Sequence, residues 1–533
     1  MSKLKIYKIS IYTLIAIGFG CNDWLETDSE DLLIPKTVDE YYPMLYAEGY
    51  PSSFNSDVSW LKLMTDDVEM GRLEIDPKHE AAEERDPNSF DRSEGGEGLH
   101  AYKWEEDIEK GINDFFWPKR YSNILGCNVI IDALPRMKIE GDSAKYAYLA
   151  AQAYAMRAYH YWCLVNTYAL PYSTANRDKP GVIIRTRPQV DIKQRKRSSI
   201  GEVYDLINED IRKAMIYIEK SHVPGNKHLL TRPAILFLAS RIALFQEKWE
   251  EVIGISELFL KSHSYVFDLN KVDTTLFGAS DASKAFYIMN GKVNEEIVFT
   301  FGNSNTNYNY LSDYLSGHFY ALGFRTSHSN ENSLLKSYEK GDLRRQAWFI
   351  KDIPAQKALH PWDKDKPMEY GYAYPCKYRR KYDADAQMPN EKTFRENWRS
   401  VEVMLNLAEA YVQKTQTVNQ NTLDLLNMLR RCRIAKTEYA DKTTADFATT
   451  TELLDFIRTE RRRELCFEEA MRFWDMRRQG MPEVKHIWYS AWNTTETYVL
   501  KAGSPNYVLR IPNAESHYND GFKNNVREII TAQ

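Results

Sequence analysis

Apolar residues recur at helical spacing along much of this chain. Tyr148, Ala151, Ala155, Ala158, Trp162 and Val165 stand three or four positions apart, so they line one face of a helix over 142–168. The alanines on that face let a neighbouring helix approach closely. Val203, Ile207, Ile211, Ala214 and Ile218 repeat the pattern over 199–219. Thr231 and Pro233 have the chemistry of an N-cap and a first-turn proline, ahead of Ile235, Leu238, Ile242 and Phe245. A short break at Glu247-Lys248 leads into a helix over Trp249–Leu260. Two more helices are predicted over 403–412 and 423–429, and 451–478 reads as one long final helix.

Helix–short turn–helix units of roughly 34 residues, with small and aromatic residues at the crossings, resemble tetratricopeptide repeats. Other stretches lack this period. Residues 71–98 are rich in Gly, Asp, Glu, Pro and Asn and read as a surface loop, and 263–395 mix Gly, Asn, Pro and aromatics with short strand-like runs such as Ile297–Phe301. Irregular stretches this long inside a compact protein are usually functional. The expected fold is therefore mainly α: tetratricopeptide-like hairpins over 37–262 and 399–533, with a loop-rich insertion over 263–398 carrying a few short strands.

The amino terminus reads as an address. Lys3, Lys5 and Lys8 precede an apolar stretch from Ile9 to Phe19, the pattern of a secretory signal over 1–20. The stretch ends at Gly20-Cys21, which resembles a bacterial lipoprotein cleavage box, with Gly18 where Leu is usual. Cleavage there makes Cys21 a lipid-bearing terminus on a short tether over 21–36; the alternative is ordinary secretion. Several acyl chains on one residue anchor stably. No later stretch is long and apolar enough to span a bilayer.

Composition narrows the function. The 533 residues are 43% hydrophobic and 27% charged, ordinary globular values, so wholesale disorder is excluded. A net charge of −5, falling to −8 when Lys3, Lys5 and Lys8 are removed, argues against a nucleic-acid surface. Aromatics are abundant, with 35 Tyr and 12 Trp. Beyond Cys21, Cys127, Cys163, Cys376, Cys432 and Cys466 form no CxxC, and Cys127, Cys163, Cys432 and Cys466 lie in helical segments as small buried apolar residues.

Several landmarks carry a family resemblance. Asn22-Asp23-Trp24-Leu25-Glu26 follows Cys21; Trp117, Tyr121, Ile124 and Asn128 form a W-x3-Y-x2-I-x3-N helix; and Met156-Arg157-Ala158-Tyr159-His160-Tyr161 is an Arg-Ala-aromatic stretch. Arg399, Glu402, Leu405 and Asn406-Leu407-Ala408-Glu409-Ala410 follow, then Glu460-Arg461-Arg462-Arg463-Glu464-Leu465 with Phe467-Glu468, Arg472-Phe473, Asp475 and Arg477-Arg478. Leu509, Ile511, Pro512 and Glu515 close the series, with Arg510 where a proline is usual. Collinear over about 500 residues, these motifs resemble the SusD/RagB family of outer-membrane lipoproteins. The resemblance implies a non-enzymatic nutrient-binding protein on the extracellular side of the outer membrane. It further implies a lid on a SusC-like TonB-dependent barrel, an oligosaccharide or sometimes a peptide as cargo, and no cofactor.

The residues themselves support binding better than catalysis. Glu460, Glu464 and Glu468 are spaced as a stripe that could serve a glycosidase, but Arg461, Arg462, Arg463, Arg472, Arg477 and Arg478 hold carboxylates ionised, whereas a general acid needs a raised pKa. An ion-pair network is expected there. Thr65-Asp66-Asp67-Val68-Glu69 reads as a solvated or helix-capping acidic turn, with calcium as its alternative. No HExxH, GxSxG or Walker loop is present. Sugars need flat aromatic faces beside Asn, Asp or Arg. Asn307, Tyr308, Tyr310, Tyr314 and Arg325 offer these within 302–325; Tyr102 and Trp104, beside His100 and Lys103, form a second set; Trp362, Tyr370, Tyr372 and Tyr374 form a third. The remaining readings are a surface glycoside hydrolase, a peptide binder and a docking scaffold without a small ligand.

Overall fold

The computed structural model describes residues 35–51, 59–106, 108, 116–139, 143–189, 195–223, 225–277, 288, 294–301, 324–327, 332–350, 374–375, 377, 382–383, 388–389, 396–491, 494–519 and 522–533, except 71–95. The helices used below are α1 (Val38–Met44), α2 (Ser59–Leu63), α3 (Gly96–Tyr102), α4 (Phe116–Ala133), α5 (Ser143–Tyr168), α6 (Ile200–Ile218), α7 (Arg232–Phe245), α8 (Trp249–Leu260), α9 (Ser400–Thr415), α10 (Gln420–Arg431), α11 (Thr450–Leu465) and α12 (Met471–Arg478). The strands used below are β1 (Val68–Met70), β2 (Ile297–Phe301), β3 (Phe324–Thr326), β4 (Glu396–Arg399), β5 (Val484–Ala491) and β6 (Thr494–Leu500). They pair antiparallel as β1–β3, β2–β4 and β5–β6.

The helix starts follow local chemistry. Ser199 and Glu202 close a capping box on α6, with Ser199 Oγ accepting from the Glu202 amide at 3.1 Å and the Ser199 amide donating to Glu202 Oε2 at 2.7 Å. Thr231 caps α7 by accepting from the Ala234 amide, with Pro233 in the first turn. Helix α5 departs from the single apolar face expected of it. Nearly all of it is buried, because α4, α6, α7 and α1 all pack on it. Its polar residues are consequently bonded inside: Arg157 clamps Asp210 of α6 at 2.7 and 2.8 Å and reaches Asn128 of α4 at 2.8 Å.

The last helical stretch is two helices, not one. Between α11 and α12 the chain breaks over residues 466–470, with Phe467 at φ 62° and Glu469 at φ 43°. The break redirects the carboxylates. Glu469 turns to Arg241 of α7 at 2.7 Å, Trp398 Nε1 at 3.0 Å and Tyr159 Oη at 2.7 Å. Glu468 turns to Arg399 and Lys377. A continuous helix would have kept Glu468 in one stripe with Glu460 and Glu464, so burial of these carboxylates among distant cations replaces helical periodicity here. A small separate core joins α9, α10 and α11 through Val401, Leu405, Leu423, Leu426, Leu453 and Ile457.

Candidate functional site

Lys377 and Arg344 come from the loop-rich 263–398 stretch, and both end in a buried ionic hub on α11. Glu464 Oε1 accepts from Arg399 Nη1 at 2.7 Å and from Arg433 Nη2 at 3.0 Å, while its other oxygen takes Arg344 at 3.1 Å. Glu296 bridges Arg399 and Arg433 at 2.9 and 2.7 Å. Arg344 also holds Asp342 at 2.7 Å and Glu460 at 2.6 Å. Burial alone would raise Glu464, but the guanidinium groups of Arg433, Arg399 and Arg344 hold it well below the usual carboxylate range. Glu460 is lowered as well: burial is outweighed by Arg344 and Arg463. Sealed from solvent and kept ionised, this stripe is the expected ion-pair network rather than an acid–base pair.

The acidic turn at 65–69 differs from expectation. Asp66 takes a two-pronged bond from Arg472 at 2.7 and 2.7 Å, and the buried Asp67 takes Arg462 Nε at 2.6 Å. It is neither a solvated turn nor a cap, because two arginines of α11 and α12 lie against it. The turn leads into β1, whose residues Val68, Glu69 and Met70 pair with Thr326, Arg325 and Phe324 of β3. Ser327 fixes the junction, donating its amide to Asp67 O at 2.8 Å and its hydroxyl to Asp66 O at 2.7 Å. β3, the first described stretch after β2, is thereby tied to the acidic turn.

The second aromatic set meets the same turn. His486 of β5 lies between two rings, 4.1 Å from Tyr102 and 4.1 Å from Trp104. Its Nδ1 faces Tyr102 O at 2.7 Å and its Nε2 faces Thr65 O at 3.0 Å. Trp104 Nε1 donates to Met64 O at 3.0 Å, and Tyr102 Oη donates to Ile487 O at 3.1 Å. Both rings are fully buried, at 0% exposure, so Trp104 and Tyr102 present no face to a sugar. This corrects the expectation for these two: their polar sequence neighbours suggested a surface loop, whereas contacts from the remote turn at 64–65 and from β5 enclose them. They buttress the acidic turn against which β3 is held. Lys103 is spread over Trp488 and Tyr498 of the β5–β6 hairpin, 4.3 and 5.4 Å from the ring centres.

Of the other expected ligand contacts, Arg325 sits in β3 opposite Glu69. Asn307, Tyr308, Tyr310 and Tyr314 lie outside the described residues, as do Trp362, Tyr370, Tyr372 and the lipidation residue Cys21. Tyr374 opens a two-residue strand paired with Phe349–Ile350. Trp117 and Tyr121 are packing residues, held by Glu515 at 3.1 Å and by Ile183 O at 2.7 Å. Sequence reasoning missed His486 and Lys377, since both act through partners far away in the chain. Among the described residues no cluster of His, Cys, Asp or Glu could hold a metal ion, and no helix is long and apolar enough to cross a membrane.

Residues 65–244 match a SusD-like family described as starch-binding and associating with the outer membrane, and residues 279–526 match the SusD family proper. No curated protein matches the chain. Among solved structures, a SusD superfamily protein from Bacteroides thetaiotaomicron is similar with a TM-score of 0.64 and 20% identity, covering 92% of this chain and 100% of that one. A second, from Bacteroides vulgatus, gives 0.65 and 16%, covering 92% and 99%. A SusD-like carbohydrate-binding protein from Bacteroides vulgatus gives 0.60 and 19%, covering 93% and 99%. These neighbours share the mainly helical fold. Matched by family along most of its length, the chain belongs to the SusD/RagB family, whose members bind carbohydrate and are not catalysts.

Proposed function

We propose that this protein captures an extracellular glycan at the cell surface and hands it to a SusC-like TonB-dependent barrel in the outer membrane. The observation that carries the reading is the SusD-family match over residues 279–526, which includes the aromatic-rich loops and both ends of their scaffold. Family membership supports glycan binding in nutrient uptake, in association with the outer membrane. Lipid on Cys21 supplies the tether, and the extracellular side is where cargo is met. Asn307, Tyr308, Tyr310, Tyr314 and Arg325 are the proposed contacts, and Arg325 lies on β3, which pairs with β1 beside the acidic turn.

Calorimetry of the mature protein against neutral and acidic oligosaccharides and peptides tests the reading. One glycan class should bind, and Tyr308→Ala should weaken it by about 1–3 kcal/mol, the size of a lost stacking contact. Binding of peptides alone, or release of new reducing ends from the bound glycan, would reject it.

A further inference from the structure

The segment between α5 and α6 is a concentrated basic strip in an acidic protein. Between 181 and 199, Arg185, Arg187, Lys193, Arg195, Lys196 and Arg197 stand against one acid, Asp191, in a chain whose net charge is −5. Its two arms start side by side, where the Gly181 amide donates to Ser198 O at 2.7 Å and the Ser198 amide donates to Val182 O at 3.0 Å. An extended chain advances at most about 3.6 Å per residue, so the α-carbons of Arg185, Arg187, Lys196 and Arg197 all lie within about 18 Å of that base.

The backbone beneath these side chains is fixed. Tyr161 Oη accepts from the Arg185 amide at 2.6 Å and donates to Arg185 O at 2.7 Å, Asn128 donates to the same carbonyl at 3.0 Å, and Asn519 accepts from the Arg195 amide at 2.8 Å. Arg185, Arg187 and Lys196 are exposed. None of these three, nor Arg197, has a carboxylate within ion-pair distance among the described residues. Several other surface arginines are neutralised: Arg136 by Asp132 at 2.7 Å, Arg177 by Asp205 at 2.6 Å, Arg212 by Glu209 at 2.7 Å and Arg232 by Glu219 at 2.6 Å. Of the acids near the strip, Asp191 lies outside the described residues and Glu515 accepts from Trp117 and Asn519.

A second layer of positive charge lies below. Arg197 donates only to carbonyls and the Asn525 amide oxygen, including Tyr168 O at 3.2 Å, and Arg477 donates to the neighbouring Ala169 O. Burial pushes both guanidinium groups down, to about 10 and about 9. Neither is answered by a carboxylate, so the field at the strip is not cancelled from beneath.

We infer that the strip formed by Arg185, Arg187 and Lys196 over Arg197 binds the acid groups of a polyanionic glycan, a chain bearing carboxylates or sulfates. The inference rests on the glycan-capture reading and names the class of cargo. Guanidinium groups suit such anions because they present paired donors. A membrane headgroup layer fits less well, since a membrane-surface element couples its cations to inserted apolar side chains and no large apolar residue is exposed among the described residues of 181–199.

Calorimetry of the mature chain with oligogalacturonate, a sulfated glycosaminoglycan oligosaccharide and a neutral glucan of matched length provides the test. At least one acidic oligosaccharide should bind at least about tenfold more tightly than the glucan, and its affinity should fall several-fold as salt rises from low to physiological. The triple variant Arg185→Gln/Arg187→Gln/Lys196→Gln, whose sites are exposed, should melt like wild type and lose about tenfold or more in that affinity. The variant Arg185→Lys/Arg187→Lys should keep most of it. Glucan bound as tightly as both acidic chains overturns this inference while leaving glycan capture standing; no glycan bound at all overturns both. Unchanged acidic affinity in the triple variant also overturns it. So does charge-dependent binding to phosphatidylglycerol vesicles without binding to either acidic oligosaccharide, which makes the strip a membrane contact.

Discussion

Lys377 donates to the Glu468 carboxylate at 2.9 Å, from inside a cage that also gives it Glu464 O at 2.7 Å and Cys466 O at 3.0 Å. The ring of Trp348 closes the cage, 3.9 Å from the ammonium. Two of these acceptors are the carbonyls exposed where α11 ends, so one lysine of the loop-rich stretch satisfies the break that the carboxylates require. Lys377→Met strands the Cys466 carbonyl, leaves Glu464 O to Arg399 alone and removes one partner of a buried carboxylate. Denaturant unfolding should show a loss of about 3–5 kcal/mol. In a double-mutant cycle with Glu468→Gln, the two losses should be less than additive.

The aromatic buttress gives a prediction opposite to that for a binding platform. Trp104→Ala empties a fully buried site and should cost about 3–5 kcal/mol of stability. Trp104→Phe keeps a ring against His486 and loses the bond to Met64 O, at a cost of about 1–2 kcal/mol. Thermal melts of the two variants check this. Wild-type stability in Trp104→Ala would contradict the burial found here.

Acid should weaken the fold through its buried histidines. Burial pushes His486 down to about 4, only partly offset by its bonds to Tyr102 O and Thr65 O. His160 is also lowered, by burial and by the Arg120 guanidinium. Between about pH 6.5 and pH 4 the unfolded chain takes up protons on these residues while the folded chain does not. Stability is thus fully present above about pH 6.5 and falls as pH drops toward 4. Urea midpoints across that range should show the decline, and His486→Gln should flatten it.

The thiols should be silent until the chain opens. Burial pushes Cys127 up to about 12 and Cys163 up to about 11, and raises Cys466 also. Cys432 is only half-buried. With iodoacetamide at pH 8, peptide mass mapping should find Cys432 modified first among these four, and Cys127, Cys163 and Cys466 modified only with denaturant.

The sequence made legible what depends on near neighbours. The apolar spacing of α5 to α8, the Ser199 and Thr231 caps and the pairing of arginines with the Glu460–Glu468 carboxylates all follow from residues a few positions apart. The break at 466–470 did not, since Leu465, Cys466 and Phe467 continue a helical pattern while the groups that reward breaking it, Arg241, Lys377 and Arg399, are 69 to 228 positions away. The same holds for Asp66 and Trp104, whose burial comes from Arg472, Met64 and His486. Among the expected insertion contacts only Arg325 and Tyr374 fall within the described residues, and both are placed by strand pairing, with Glu69 and Ile350.

Glu464 serves three guanidinium groups drawn from three stretches of chain. Prying any one of those stretches away would strand several charges in a place without water, so the interior offers no seam along which to part. Any large motion of the molecule must then carry this centre along whole.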